Sequence, residues 1–328
     1  MPFLTPRPLA FEPIIKRAIW GGRRLGTLMG KDIGDAQDAA ESWEIADHGG
    51  SVSVVKDGPL AGTSLRDLVQ NHPAELFGKG RADQTQFPLL VKLIDAREAL
   101  SVQVHPNDEL AKTLAGDNGK TESWVVLDAE PDALIYAGLK PGVTRDMLER
   151  AIEHGTVEPL LHRFEPKPGD CLLIEAGTVH AIGAGVLVAE VQQMSDTTFR
   201  LFDWNRVGAD GQPRELHVEK GLRSIDFSRG PVDPIAPRPL VLENDDVREP
   251  LAVCPYFEIE RWTLEFPEEI GRDDRFTILM VTEGEIEVRG PDGDRRARRG
   301  ETILLPASLG PTMIHPTSRA VVLTCQQP

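Results

Sequence analysis

The chain is poor in cysteine and in basic charge, and it has no long apolar run. Its three cysteines, Cys171, Cys254 and Cys325, are widely spaced, odd in number and form no Cys-x-x-Cys pair. That argues against a disulfide framework and against a cysteine-based zinc finger. Reduced, buried thiols in a cytoplasmic protein are the expectation. No uninterrupted apolar stretch approaches the ~20 residues of a membrane span. The opening residues MPFLTPRPLA lack the basic-then-apolar order of a secretory leader, which again points to the cytoplasm. With 36 Lys and Arg against 52 Asp and Glu, the net charge is −16. That is the wrong sign for a partner made of nucleic acid or for an anionic membrane surface.

Turn formers are abundant instead. The 30 glycines and 26 prolines are about 17% of 328 residues, above the usual ~12%. So many breakers suit short strands joined by turns better than long helices, and the length suggests about two domains. From residue 88 onward, apolar or alternating runs read as strands: 88–95 (PLLVKLID), 100–105 (LSVQVH), 122–128 (ESWVVLD), 133–139, 170–174, 186–192 and 197–204. Helices are expected at 63–77, at 107–115 with Asn107 as cap, and at 144–154 before Gly155. The stretch GPVDPIAPRP, with four prolines in ten residues, reads as an extended linker. Beyond it, 256–266, 275–288, 301–304 and 320–324 read as strands, with a hairpin turn at 291–294. The expected division is therefore a catalytic domain at 1–235 and a smaller β domain at 236–328.

Two stretches resemble each other weakly: 168–177 (PGDCLLIEAG) and 299–308 (RGETILLPAS). Each is a glycine turn, an acidic residue, an apolar strand and a second turn. Two related barrels in tandem are expected on that ground. Aligned this way, Pro311 falls where the first barrel has His180, and His315 reads as structural. The cluster RRARR at 295–299 reads as the solvated flank of a hairpin.

The residues that carry chemistry are scattered but recurrent in type. In LSVQVHPND, alternation puts Ser101, Gln103 and His105 on one face. GKTESW brings Lys120 and Glu122 to the start of an apolar strand, and AGTVHAIG presents His180 between glycines that let a backbone approach a ligand. Two imidazoles, a carboxylate and an amide oxygen could hold a divalent ion, with one position open. By spacing alone, each of these residues could equally be a buried structural group.

These runs, in this order, together with SDTTFRLFDWNR, Trp20-Gly21-Gly22, ESWEIA at 41–46 and Cys254-Pro255-Tyr256-Phe257, resemble the type I mannose-6-phosphate isomerases, most of all their short bacterial form. The similarity covers nearly the whole chain. It implies an all-β-dominated fold of tandem cupin (jelly-roll) barrels with a few short helices, and one Zn²⁺ per chain. It puts Gln103, His105, Glu122 and His180 at the metal-ligand positions and Arg200 at the family's active-site arginine. The implied reaction interconverts mannose 6-phosphate and fructose 6-phosphate through an enediol.

A permanently charged guanidinium suits an enediolate or a phosphate better than it suits proton transfer. Lys120 and Glu190 are therefore the acid/base candidates, and Lys92 and Ser101 are expected phosphate contacts. Arg200 should share a strand face with Thr198 and Phe202; its bland alternative is a pair with Asp203. The expected partner is a small sugar phosphate, on a chain that works as a monomer or a homodimer. The rival readings are a metal-dependent cupin oxygenase and a sugar-binding cupin without turnover. The second barrel is expected to bind no metal.

Overall fold

The computed structural model describes residues 6–207, 211–242 and 244–328. Strand Val186–Gln193 is buried along its whole length, and its side chains alternate between two different cores. Val186 and Val188 pack into one cluster with Trp124, Ile135 and Ile182. Leu187, Ala189 and Val191 face the opposite way, into a larger cluster that also holds Phe257, Ile259 and Ile278. A strand with two buried faces must lie in an inner layer, and the sheets are stacked accordingly.

The strand belongs to a six-stranded sheet ordered Cys171–Ile174, Glu122–Ala129, Val186–Gln193, Leu89–Ala96, Ala39–Ile45, Ile14–Gly22. One face of this sheet packs on a five-stranded sheet ordered Leu161–Phe164, Ile135–Leu139, His180–Ile182, Val102–Val104, Phe199–Phe202. Helices Arg145–Glu153 and Val218–Ser224 cover the outer side of the smaller sheet through Leu148, Ile152 and Leu222. The second half repeats the plan. Strands Thr302–Leu305, Thr277–Glu283, Ala320–Gln326, Glu258–Leu264 and Val247–Val253 follow the same order as their five counterparts in the larger sheet. Arg295–Arg298, Glu285–Arg289, Thr312–Pro316 and Glu268–Ile270 do so in the smaller one. The architecture is two jelly rolls in tandem, as the weak internal similarity suggested.

Their large sheets lie back to back. Phe77 and Phe87 of the first half meet Phe276 of the second at centroid distances of 6.0 and 4.9 Å. Strand Leu9–Ala10 joins the second half's large sheet, with Leu9 opposite Leu304 and Ala10 opposite Ile303.

Local chemistry explains the departures from the sequence reading. The helix expected at 63–77 is two helices, Leu65–Asn71 and Pro73–Phe77. Ser64 and Asp67 form a capping box on the first, and Pro73, which offers no N–H and restricts His72, ends it and opens the second. The single strand expected at 275–288 is two, split at Gly284, whose φ of +72° turns the chain from one sheet to the other. Strands Ile14–Gly22 and Ala39–Ile45 lie before the point where strands were expected to begin. Asn107 caps its helix as read, by accepting from the Leu110 N–H, and Thr144 caps Arg145–Glu153 by accepting from the Met147 N–H. All three cysteines are free and buried. Among the described residues, no helix is long and apolar enough to cross a membrane.

Candidate active site

Three strands of the five- and six-stranded sheets bring the candidate ligands together. Gln103 is central in Val102–Val104 and pairs with His180, which opens His180–Ile182. His105 follows one residue past the Gln103 strand, and Glu122 opens Glu122–Ala129. The ligand atoms of His105, Glu122 and His180 all lie within 4.8 Å of one another, and all three residues are buried. Glu122 stands between the rings: Oε2 is 3.3 Å from His105 Nε2, and Oε1 is 3.4 Å from His180 Nε2. The Gln103 amide reaches within 3.3 Å of the same His180 nitrogen. Turning that amide about its last torsion presents oxygen instead of nitrogen to the shared space.

The backbone fixes the state of both imidazoles. His105 Nδ1 meets the Thr197 carbonyl at 3.0 Å, and His180 Nδ1 meets the Thr178 carbonyl at 2.8 Å. A carbonyl only accepts, so each Nδ1 carries the proton and each Nε2 turns a lone pair toward Glu122. Burial and the Lys120 ammonium push the His105 imidazolium down to about 3, against the attraction of Glu122. Burial likewise lowers His180. Burial raises the Glu122 carboxyl, but Lys120, His105 and His180 outweigh it and hold the group well below the usual range. Both Glu122 oxygens are buried and accept no well-formed hydrogen bond. Such atoms are rare unless something further belongs beside them. A carboxylate whose Oε2 and neighbouring His105 Nε2 meet only the Lys120 ammonium, a second imidazole lone pair and a rotatable amide fit a divalent ion held by nitrogen and oxygen.

The cluster borders a cavity of about 340 Å³ lined by Ser101, Gln103, Lys92, Lys120, Glu190 and Arg200, and also by Trp20, Glu41, Trp124, Asp196, Thr198 and Arg214. Lys120 Nζ is 2.9 Å from Glu122 Oε2 and 3.1 Å from His105 Nε2. Lys92 lies 3.5 Å from Glu41 and 3.2 Å from Glu190, and Trp124 donates to the other Glu190 oxygen at 2.9 Å. Burial and the Glu122 charge raise the Glu190 carboxyl, with Lys92 and Lys120 opposing. Burial disfavours the Lys92 ammonium, yet Glu41 and Glu190 outweigh it and raise its affinity for the proton.

Six of the residues singled out from the sequence line this cavity, and His105, Glu122 and His180 form the buried cluster beside Gln103 and Lys120, but several details differ. Phe202 does not share the Arg200 face. A bulge between Arg200 and Phe202 turns the phenyl ring into the outer core, against Trp204. Arg200 makes no pair with Asp203, which holds Arg206 and Arg214 instead. The glycines beside His180 serve the backbone rather than a ligand. Gly177 adopts φ +90° and donates to the His105 carbonyl, and a Cβ on Gly183 would come within 2.1 Å of the Leu134 carbonyl. In the second half, Thr312, not Pro311, opens the strand equivalent to that of His180. It lies opposite Ile270, and Thr277 opens the strand where the first half has Glu122. Arg295–Arg298 is a hairpin strand whose Arg295 and Arg296 pair with Asp57 and Glu287.

Glu41, Asp196 and Arg214 were missed. Glu41 carried a signal, since alternation in AAESWEI puts it on the face of Trp43. Arg214 carried none.

Tandem jelly rolls, the first with a buried imidazole–carboxylate cluster beside a polar cavity, define an enzyme of the cupin class. Residues 9–125 match the family model described as phosphomannose isomerase type I, catalytic domain, and residues 249–324 match that of the mannose-6-phosphate isomerase cupin domain. The mannose-6-phosphate isomerase ManA of Bacillus subtilis (strain 168) is 38% identical over 312 residues, 94% of this chain and 95% of the relative. The probable mannose-6-phosphate isomerase GmuF of the same organism is 36% identical, over 96% of this chain and 98% of its own length. The crystal structure of the mannose 6-phosphate isomerase from Bacillus subtilis superposes with a TM-score of 0.88 at 32% identity, covering 97% of this chain and 99% of that one. The chain belongs to the type I phosphomannose isomerases.

Proposed function

We propose that the protein interconverts mannose 6-phosphate and fructose 6-phosphate through an enediol, with one zinc ion held by Gln103, His105, Glu122 and His180. Supporting this reading is one convergence: buried His105 and His180 lie on either side of the buried Glu122 carboxylate, next to Gln103 and Lys120 of the cavity that Glu190 and Arg200 also line. When bound, the ion would supply Lewis-acid polarisation of the substrate's oxygens, worth several kcal/mol.

The chain's own groups account for the rest. The reaction moves one proton from C2 to C1 of the open-chain sugar, while O1 and O2 exchange carbonyl and hydroxyl character. Glu190 suits the carbon proton, since burial raises its carboxyl and one of its oxygens accepts no hydrogen bond. Lys120, at the edge of the ligand cluster, suits proton exchange with the substrate's oxygens. Arg200 offers a fixed positive charge for the enediolate or the phosphate. Ser101 and Lys92 face the same space. The partner is the sugar phosphate, on a monomer or a homodimer, and the cytoplasm, where thiols stay reduced, suits such a chain.

The test is incubation of the zinc-loaded protein with mannose 6-phosphate in D₂O. Fructose 6-phosphate should form, with deuterium entering at the carbon that receives the proton. Absence of both product and exchange would refute the isomerase reading, and oxygen consumption would favour an oxygenase.

A further inference from the structure

We propose that Arg214 joins Arg200 in an anion subsite for the substrate's phosphoryl group, and that Arg214 is the residue by which the enzyme prefers phosphorylated over free sugar. The inference rests on the isomerase reading and identifies the end of the cavity that grips the ester.

The distribution of charge within the cavity carries the argument. Lys92 is enclosed by Glu41 and Glu190, Lys120 lies against Glu122, and Asp196 also acts on Lys92. The lysines therefore have their counter-charges built in. Among the described residues, Arg200 has no carboxylate within ion-pair distance. One terminal nitrogen donates to the Glu215 carbonyl at 2.7 Å, and its Nε is buried without a partner. Arg214 gives Nε and one terminal nitrogen to Asp203, which Arg206 also engages. Arg206 has Glu98 at 3.8 Å besides Asp203, so two carboxylates face three guanidiniums; Arg200 pairs with neither, and the second terminal nitrogen of Arg214 lies outside the Asp203 contact. A surplus of fixed positive charge is relieved by an anion entering from solvent.

Geometry couples the two arginines. The His217 N–H donates to the Arg200 carbonyl at 2.7 Å, and the Arg200 N–H donates back to His217 Nδ1 at 3.2 Å. Residues 214–217 are thereby fastened along strand Phe199–Phe202. Arg200 is also the cross-strand partner of Gln103, so this end of the cavity adjoins the ligand cluster. Two planar forks match the several oxygens of a phosphate dianion, which a single ammonium does not.

The test compares the zinc-loaded protein with its Arg214→Ala, Arg214→Gln and Arg214→Lys variants, using mannose 6-phosphate as substrate and inorganic phosphate as competitive inhibitor. Arg214→Ala should raise KM and the phosphate Ki about tenfold or more, with zinc content and Tm unchanged. Arg214→Lys should recover part of the loss. If alanine unfolds the loop, Arg214→Gln, which keeps a donor for Asp203 without the charge, should show the same rise. Unchanged KM and phosphate Ki in the folded variants, or a fall in kcat alone, would overturn the proposal. If the wild type fails to convert mannose 6-phosphate, the isomerase reading falls by itself. Phosphate binding to wild type and Arg214→Ala, measured by calorimetry, still decides the anion subsite.

Discussion

A histidine serves as a metal ligand only through a nitrogen that holds no proton, and each imidazole here has its other nitrogen occupied by a backbone carbonyl. Replacing His180 by alanine should therefore remove bound zinc and activity together, as read by elemental analysis of the dialysed protein alongside the isomerase assay. Lys120→Met should behave differently. Zinc content should persist while kcat falls by about 10²–10⁴, because the lysine abuts the cluster without belonging to it. Loss of metal in that variant would assign Lys120 to holding Glu122 rather than to proton exchange. At this scale the sequence was readable where a chemical type is rare. Histidine and glutamine on one strand face, or an arginine in an otherwise apolar strand, stand out against their neighbours. Arg214 did not, because nothing local to residues 213–217 shows that they run beside Arg200. That adjacency is made by the His217–Arg200 hydrogen bonds and by the bond from the Arg200 guanidinium to the Glu215 carbonyl.

Among the elements, the turn after helix Asp108–Leu114 has the most influence on the site. Asp117 accepts from Ser195 Oγ at 3.0 Å, Thr197 Oγ1 at 2.8 Å and the N–H groups of Asn118 and Asp196. It thereby fixes the loop whose Thr197 carbonyl holds His105. Burial raises the Asp117 carboxyl, but these hydrogen bonds, with that of Thr197 foremost, outweigh it and keep the group below its usual value. A carboxyl depressed in the native state lends stability that is complete above its unfolded pKa of about 3.9. That stability is lost as the pH falls through the lower native value. Asp117→Asn should cost about 1–3 kcal/mol at neutral pH. Wild-type stability should fall more steeply between about pH 5 and pH 3 than that of the variant, as followed by urea titration. Equal slopes would remove Asp117 as the acid-sensitive group. Element positions were legible wherever the apolar period was sustained, as in Leu89–Ala96. They were lost where a single residue redirects the chain, as Pro73 and Gly284 do, since periodicity averages over such points.

At the scale of the whole molecule, a net charge of −16 repels a phosphorylated sugar at long range. Capture must then come from the short-range cluster in the cavity. Raising ionic strength from about 20 to about 300 mM screens the long-range field and should leave KM nearly unchanged. A sharp rise in KM would show long-range attraction instead. The back-to-back sheets carry a second expectation. A fragment of residues 1–235 keeps the ligand cluster but loses Phe257, Ile259 and Phe276 from the shared core, and with them the partner of Leu9–Ala10. It should aggregate or melt well below the full chain, as measured by light scattering and calorimetry. A fragment with the full chain's Tm would show that the first jelly roll stands alone.

The pairing of Leu9 with Leu304 also sets an order of events during synthesis. A ribosome adds about 5–20 residues per second, so strand Leu9–Ala10 is made many seconds before strand Thr302–Leu305 exists to receive it. Through that interval the face of the six-stranded sheet that packs on the second half is uncovered, and strand Leu9–Ala10 has no partner. The last-made jelly roll then covers that face, through Phe257, Ile259 and Ile278. Cover for the first half thus arrives only after the second has been made.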